Sequence, residues 1–416
     1  MKPPSLWYHS DFLKLWAAQT VSQFGTQITF LGLPLIAITL LEANTFEISV
    51  LNAVIWLPTL LFSLFAGVWV DKRRRQPILI VSDLLRVVLL LWVPTALFLD
   101  ILTLWQLYGI AFAVGICAVF FEIAYASYLP SLVNAEQLVE GNTKLELTNS
   151  VARVAGPTLA GGLIAWAGAP FAIILDALSY AGSAVFVMFI KKPEQVSVLG
   201  SRVWEKTNPW TDIRQGLHFV FTHSLLRPIA IFGLTANFAL AMVEAVFLVY
   251  VVRSLGLGPS AIGLIFSAGN IGLLVAILFA STVSRKLGAG VSIITGCCLY
   301  SLGIMLVPLA HFAPLAILIA AQAIRSFGIV VYNIHQVSLR QTVTPENLLG
   351  RVTATMRFMG MGAMPAGSLF GGALATAVSV AATFWIAAVI SCFAVLPMVL
   401  SPLLKLRLLT RGNDTF

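Results

Sequence analysis

Four ionisable residues interrupt stretches of otherwise apolar sequence: Glu122, Asp176, Glu244 and Arg325. A charge at the centre of a hydrocarbon layer costs about 2.5–3.5 kcal/mol on insertion scales, so such residues pair, exchange protons or line a wet path. Glu122 has Tyr125 one turn away and no basic neighbour in sequence. A carboxyl in apolar surroundings can exchange a proton near neutral pH, which makes Glu122 the main expected proton-coupling residue. Glu244 shares a helical face with Asn237, and Arg325 shares one with Gln322, Tyr332 and Gln336. Glu244 and Arg325 lie at similar depth, so a pair between them is expected, either switched by protons or substrate or permanently structural. Asp176 is expected mainly as a hydrogen-bonding group. Gln19, Gln23 and Gln27 recur at four-residue spacing beside Ser22 and Thr26. Their amides could bind a substrate or hold two helices together.

Other chemistry is not encoded. The five histidines form no ligand cluster, and the four cysteines all fall in apolar stretches without a CxxC pair. There is no HExxH, no Ser–Lys arrangement and no phosphate-binding Gly-rich loop with Lys-Ser/Thr. No catalytic residue, metal or cofactor is expected.

These residues are carried by an unusual chain. Of 416 residues, 59% are hydrophobic and 10% charged, with mean hydropathy +0.94. Soluble domains hold about 45–50% apolar and about 25% charged residues, so a soluble enzyme, a nucleic-acid binder, a disordered chain and a coiled coil are excluded. A spanning helix needs about 20 apolar residues. Twelve such spans are predicted at 12–40, 47–70, 78–99, 102–127, 147–167, 171–190, 229–253, 260–283, 289–310, 314–338, 353–375 and 380–403. Continuous runs, without alternation, indicate a helical bundle and not a barrel. The first span lacks a small-residue cleavage site and is expected to be retained. All lysines and arginines except Arg253 and Arg325 can be assigned to one side, while Glu42, Glu47 and Asp100 fall on the other. Both termini are therefore expected in the cytoplasm.

The chain repeats itself. Glu136 and Glu346, Leu138 and Leu348, and Gly161 and Gly371 share one offset, close to half the chain. Two parallel six-helix halves follow, residues 1–190 and 228–416, with a cytoplasmic linker at 191–227. Within the linker, Trp210–Thr222 could form a helix on the inner membrane surface, or the whole linker could be a tether.

Twelve spans in two parallel halves resemble the major facilitator superfamily. The loop after the second span supports this, reading Gly67-Val-Trp-Val-Asp71-Lys72-Arg73-Arg74-Arg75-Gln76. Gly67, Asp71, Lys72 and Arg75 match that family's signature, whereas Arg74 replaces its second Gly and Gln76 its last basic residue. Asp71 could face the positive end of a helix while the basic residues hold anionic groups, forming a gating latch. Gly156-Pro157 followed by Gly161-Gly162 resembles an element of superfamily exporters, with ordinary close packing as the plainer reading. Asp176-Ala-Leu-Ser-Tyr180, Leu349-Gly350-Arg351 and Leu129-Pro-Ser-Leu-Val133 resemble the branch of enterobactin-type siderophore exporters and macrolide efflux proteins.

The resemblance implies an all-α membrane fold whose first, fourth, seventh and tenth spans line a cavity. Three of the four charged residues fall on those spans. It also implies proton-coupled export of an amphipathic drug, macrolide or siderophore by alternating access from the cytoplasmic membrane. The implied partners are that substrate, protons and lipid, with no nucleic acid, and the chain is expected to be a monomer. One departure stands out: many proton antiporters of the family carry Arg in the fourth span, but Gly109–Tyr128 holds no basic residue. Arg325 would have to substitute. Uptake of a small molecule or metal chelate, and a receptor or scaffold on the same fold, are the alternatives.

Overall fold

The computed structural model describes residues 6–71, 73–134, 137–192 and 209–405. Among these the chain forms α-helices joined by short turns, and no strand. The helices are α1 (Ser10–Thr39), α2 (Thr45–Asp71), α3 (Arg75–Phe98), α4 (Leu104–Leu132), α5 (Leu138–Ala167), α6 (Ala169–Met188), α7 (Pro209–Thr222), α8 (Leu226–Val249), α9 (Pro259–Leu287), α10 (Ala289–Leu306), α11 (Pro314–Val343), α12 (Glu346–Ala377) and α13 (Val380–Val399). Every expected span has its helix. Among the described residues, 11 are long and apolar enough to cross a membrane. The twelfth expected span, α5, is not among them, and Glu140, Lys144, Glu146 and Arg153 all fall within its first sixteen residues.

The expected boundaries err mostly at the basic ends of the spans. α4, α5, α11 and α12 all run further there than hydropathy indicated. Hydropathy reports the apolar thickness a helix crosses, whereas the backbone hydrogen-bond ladder continues wherever water or neighbouring helices serve the side chains. At two places one helix follows another with a single residue between them. These residues are Gly168 (φ +83) and Gly288 (φ +80), a backbone region that a Cβ would strain.

The Trp210–Thr222 stretch is helical, and α7 is docked. Val220 is fully buried with Leu226, Ala230 and Val352. Arg351 Nη1 donates to Gln215 Oε1 at 2.6 Å, and Gly216 lies against the Arg351 carbonyl and Thr355 on α12. Leu217 and Phe221 stay exposed.

The chain divides into two compact units. The first contains α1–α6 together with Gly256–Ser267, the start of α9; the second contains α7, α8, the rest of α9 and α10–α13. In the first, Leu6, Phe12, Leu15, Tyr128, Leu145 and Val187 build an apolar cluster. Lys144 lies 4.1 Å from the Trp7 ring and 2.7 Å from Glu140 over that cluster, and Trp16 Nε1 donates to Thr148 Oγ1 at 2.9 Å.

Candidate functional site

The first unit holds a dry cluster of charge. Asp83 and Asp176 are 0% exposed and Arg86 is 5%. Arg86 stands roughly 16 Å along α3 from its first residue, at 1.5 Å rise per residue. Its Nη1 pairs with Asp83 Oδ1 at 3.3 Å. Its guanidinium lies over the Phe121 ring of α4 and the Tyr180 ring of α6, 4.9 Å from each centroid. Cation–π contacts of this kind stabilise a desolvated guanidinium by about 2 kcal/mol or more. Asp83 Oδ2 and Arg86 Nε are buried without a hydrogen-bond partner.

Asp176 belongs to the same cluster. Thr29 of α1 donates to its Oδ2, and Ser179 donates to its Oδ1 at 3.1 Å. Thr26 and the Tyr180 hydroxyl are 2.9 Å apart. Arg86 and Asp83 both lie within electrostatic reach of Asp176. Gly25 makes the approach possible, since a Cβ there would collide with Ser179 and with Asp176 Oδ1. Two buried carboxyl groups thus share one guanidinium's field, Asp83 by direct contact and Asp176 at longer range. Asp83 and Arg86 escaped the sequence reading, because Arg86 was assigned to the basic side of the membrane. Their spacing of three residues inside an apolar run was the available signal.

The remaining predicted residues of this unit are spread out. Glu122 on α4 is exposed and is not part of the cluster. Of the glutamine face, Gln19 is 4% exposed with an unpartnered Oε1, Gln27 lies against Gly156 of α5, and Gln23 is half-buried. The Gly156–Gly162 element marks a helix crossing. A Cβ on Gly161 would strike the Pro259 carbonyl, and one on Gly263 the Pro157 carbonyl. Thr158 Oγ1 and Ser267 Oγ are 2.7 Å apart at the same crossing. Gly162 faces open space. In the loop between α2 and α3, Lys72 and the Asp71 side chain lie outside the described residues. Gly67 is half-buried and Arg75 buried. Next to them, Gln76 Nε2 donates to the Val187 and Ile190 carbonyls at 3.0 and 3.1 Å, tying α3 to the end of α6.

The second unit carries the other two charges. Arg325 lies close enough to Glu244 for electrostatic interaction, and both lie near Tyr300. The guanidinium itself is engaged by Gln322, whose Oε1 accepts from Nε at 3.1 Å and Nη2 at 2.6 Å. Gln322 therefore orients Arg325, three residues away on the same helical face. Below this group a cavity of about 380 Å³ opens between α8, α10, α11 and α12. Asn237, Tyr300, Tyr332 and Gln336 line it, with Arg340 and Arg357 at its end nearer the start of α8. Phe232 packs 5.0 Å from Tyr332 and 6.1 Å from Tyr300. The sequence reading named Asn237 and Tyr332 here and missed both arginines, which were assigned to topology. Among the described residues no cluster of three His, Cys, Asp or Glu could hold a metal ion.

A sequence model described as Major Facilitator Superfamily matches residues 15–364 and, in a second match, 229–411. The chain belongs to that superfamily. Members transport solutes, so the chain is a multi-pass membrane transporter. The multidrug efflux pump Tap of Mycolicibacterium fortuitum is 26% identical over 387 residues, covering 89% of this chain and 90% of that one. The MFS-type transporter YvqJ of Bacillus subtilis is 24% identical over 335 residues, covering 79% and 78%. Among solved superfamily structures, a point mutant of the nucleoside transporter NupG superposes with TM-score 0.76 at 12% identity, covering 94% of this chain and 99% of that one. A bacterial homologue of the iron transporter ferroportin, in its inward-facing state, gives 0.71 at 15%, covering 94% and 98%. At those identities the structures establish the superfamily fold alone.

Proposed function

We propose that this transporter is a proton-coupled exporter of amphipathic small molecules, working by alternating access of its two halves in the cytoplasmic membrane with both termini inside. The observation that carries the coupling is the cluster of Asp83, Asp176 and Arg86. Two carboxylates against one guanidinium leave one negative charge unbalanced in a dry site, and taking up a proton removes it. Asp176 is the proposed exchanging group, because the Thr29 and Ser179 hydroxyls can serve either protonation state by rotating. The Glu244–Arg325 group and exposed Glu122 are the further coupling candidates. Export is supported by the efflux pumps among the relatives and by the Gly-Pro crossing of α5. Gly67, Asp71, Lys72 and Arg75 are proposed as the inner latch.

The test uses inside-out membrane vesicles carrying a proton gradient. A labelled macrolide and a labelled catecholate siderophore are offered to the intact protein, Asp176→Asn and Glu122→Gln. Gradient-driven accumulation that a protonophore abolishes, and that is lost in Asp176→Asn, is expected. Accumulation that ignores the protonophore sinks proton coupling. Uptake seen only in right-side-out vesicles sinks export. Loss in Glu122→Gln with Asp176→Asn unaffected moves the coupling to α4.

A further inference from the structure

The cavity of the second unit has a charge character that the export reading does not require. Among the described residues lining it, Arg340 and Arg357 are cationic and none is acidic. Arg340 stands near the end of α11 with its Nε buried and without a hydrogen-bond partner. Its Nη1 meets only the soft Met356 sulfur, at 3.8 Å. A guanidinium carries five donors in a planar fork suited to a carboxylate or a similar anion, and among the described residues no carboxylate answers it.

Deeper in the cavity the chemistry changes. Phe232, Tyr300 and Tyr332 present ring faces and edges, and Asn237 and Gln336 present amides. The Tyr332 and Tyr300 hydroxyls are already directed to the Ile229 and Ala236 carbonyls, each at 3.4 Å. The rings are thereby held in place, not left to adapt. Gly360 faces Asn237 Nδ2 at 3.0 Å from where a Cβ would stand, so α12 comes close enough for the two helices to share one narrow space. Glu244, the acid of this unit, stands about 10 Å beyond Asn237 along α8 at 1.5 Å per residue, where Arg325 and Tyr300 are its neighbours.

We infer that this cavity is a binding site for an aromatic anion, its acid group held by Arg340 and Arg357 and its ring placed among Phe232, Tyr300 and Tyr332. The inference deepens the export reading by naming the charge of the substrate, and rests on that reading for its physiological sense. A cationic amphiphile, by contrast, would meet two guanidiniums and, among the described lining residues, no acid. An anionic lipid headgroup presents the same anionic chemistry as a soluble acid, so the test separates them.

The full chain, purified into phosphatidylcholine nanodiscs, is equilibrated with tritiated 2-naphthoate, and counts bound by empty nanodiscs are subtracted. Unlabelled 2-naphthoate and the same ring bearing a trimethylammonium group compete for the site. The acid is expected to compete at least tenfold better than the cation. Arg340→Gln and Arg357→Gln should each weaken naphthoate binding about tenfold and erase the preference for the anion, with Arg340→Lys recovering part of it. Arg227→Gln, on the exposed start of α8, should change nothing. Equal competition by the cation, or full binding by both Gln variants, overturns the inference. Displacement of naphthoate when phosphatidylglycerol is added makes the cavity a lipid site and overturns it too. No gradient enters this assay, so a failure of proton-driven export in vesicles is read separately.

Discussion

Asp83 and Arg86 form an ion pair of 3.3 Å inside α3 with both side chains almost wholly excluded from solvent. The guanidinium also lies 4.9 Å from the centroids of two rings on other helices, Phe121 and Tyr180. Removing one partner of a buried pair leaves an uncompensated charge, which costs about 3–5 kcal/mol. Arg86→Gln should therefore lower the thermal unfolding midpoint of the purified protein sharply. Arg86→Lys should rescue little, since an ammonium lacks the planar faces that the two rings grip. The double variant Asp83→Asn/Arg86→Gln should be less damaged than Arg86→Gln alone. Equal damage would mean that the charge is not what the pair resolves.

The crossing of α5 and α9 depends on missing side chains. At Gly161 and Gly263 a Cβ would run into main-chain carbonyls, which cannot rotate away. Overpacking of this kind costs about 1–3 kcal/mol. Gly161→Ala and Gly263→Ala should each lower stability in a thermal-shift assay and reduce transport. Gly162→Ala, one residue along but facing open space, should be neutral or slightly stabilising, because Ala favours a helix by about 1 kcal/mol over Gly. The contrast between adjacent glycines is the reading to look for.

Glu244 lies within electrostatic reach of Arg325, whose guanidinium is held by Gln322. In a double-mutant cycle on unfolding, Glu244→Gln and Arg325→Gln should show a coupling of about 0.5–3 kcal/mol. Gln322→Ala should shrink that coupling by releasing Arg325 from its orientation. Strictly additive single variants would show the two charges to be independent.

His223 stands at the corner between α7 and α8, outside the spanning helices. Its Nδ1 accepts from the Leu225 amide at 3.2 Å, and its ring lies 5.5 Å from Phe219. Partial burial holds its imidazole below the usual 6.5, so the folded corner favours the neutral ring. Its contribution is full above the unfolded value and lost as pH falls through the lower folded one. Amide-exchange protection of α7 should drop as pH is taken below 6 or so. His223→Asn, which keeps an acceptor near the Nδ1 position, should hold protection flat across that window.

Some of this was open to reading from the residues alone. That the chain crosses a membrane repeatedly as helices followed from apolar run length, whereas the amphipathic pattern of Trp210–Thr222 left a surface helix and a tether both open. These are local properties, because each helix closes its own hydrogen bonds and responds to its own side chains. Which charges go dry is not local. Glu122 and Asp83 read alike in an apolar run, yet Glu122 is exposed on α4 while Asp83 is enclosed by α3, α4 and α6. Arg86 and Arg340 read as topology markers, because a basic residue near a span end serves that role whether or not it turns inward. Only packing decided that Arg86 lies against two rings and that Arg340 ends in a cavity whose described lining holds no acid. The cost of an unpaired buried charge depends on neighbours that come from distant parts of the chain, and those neighbours are set by how the helices meet.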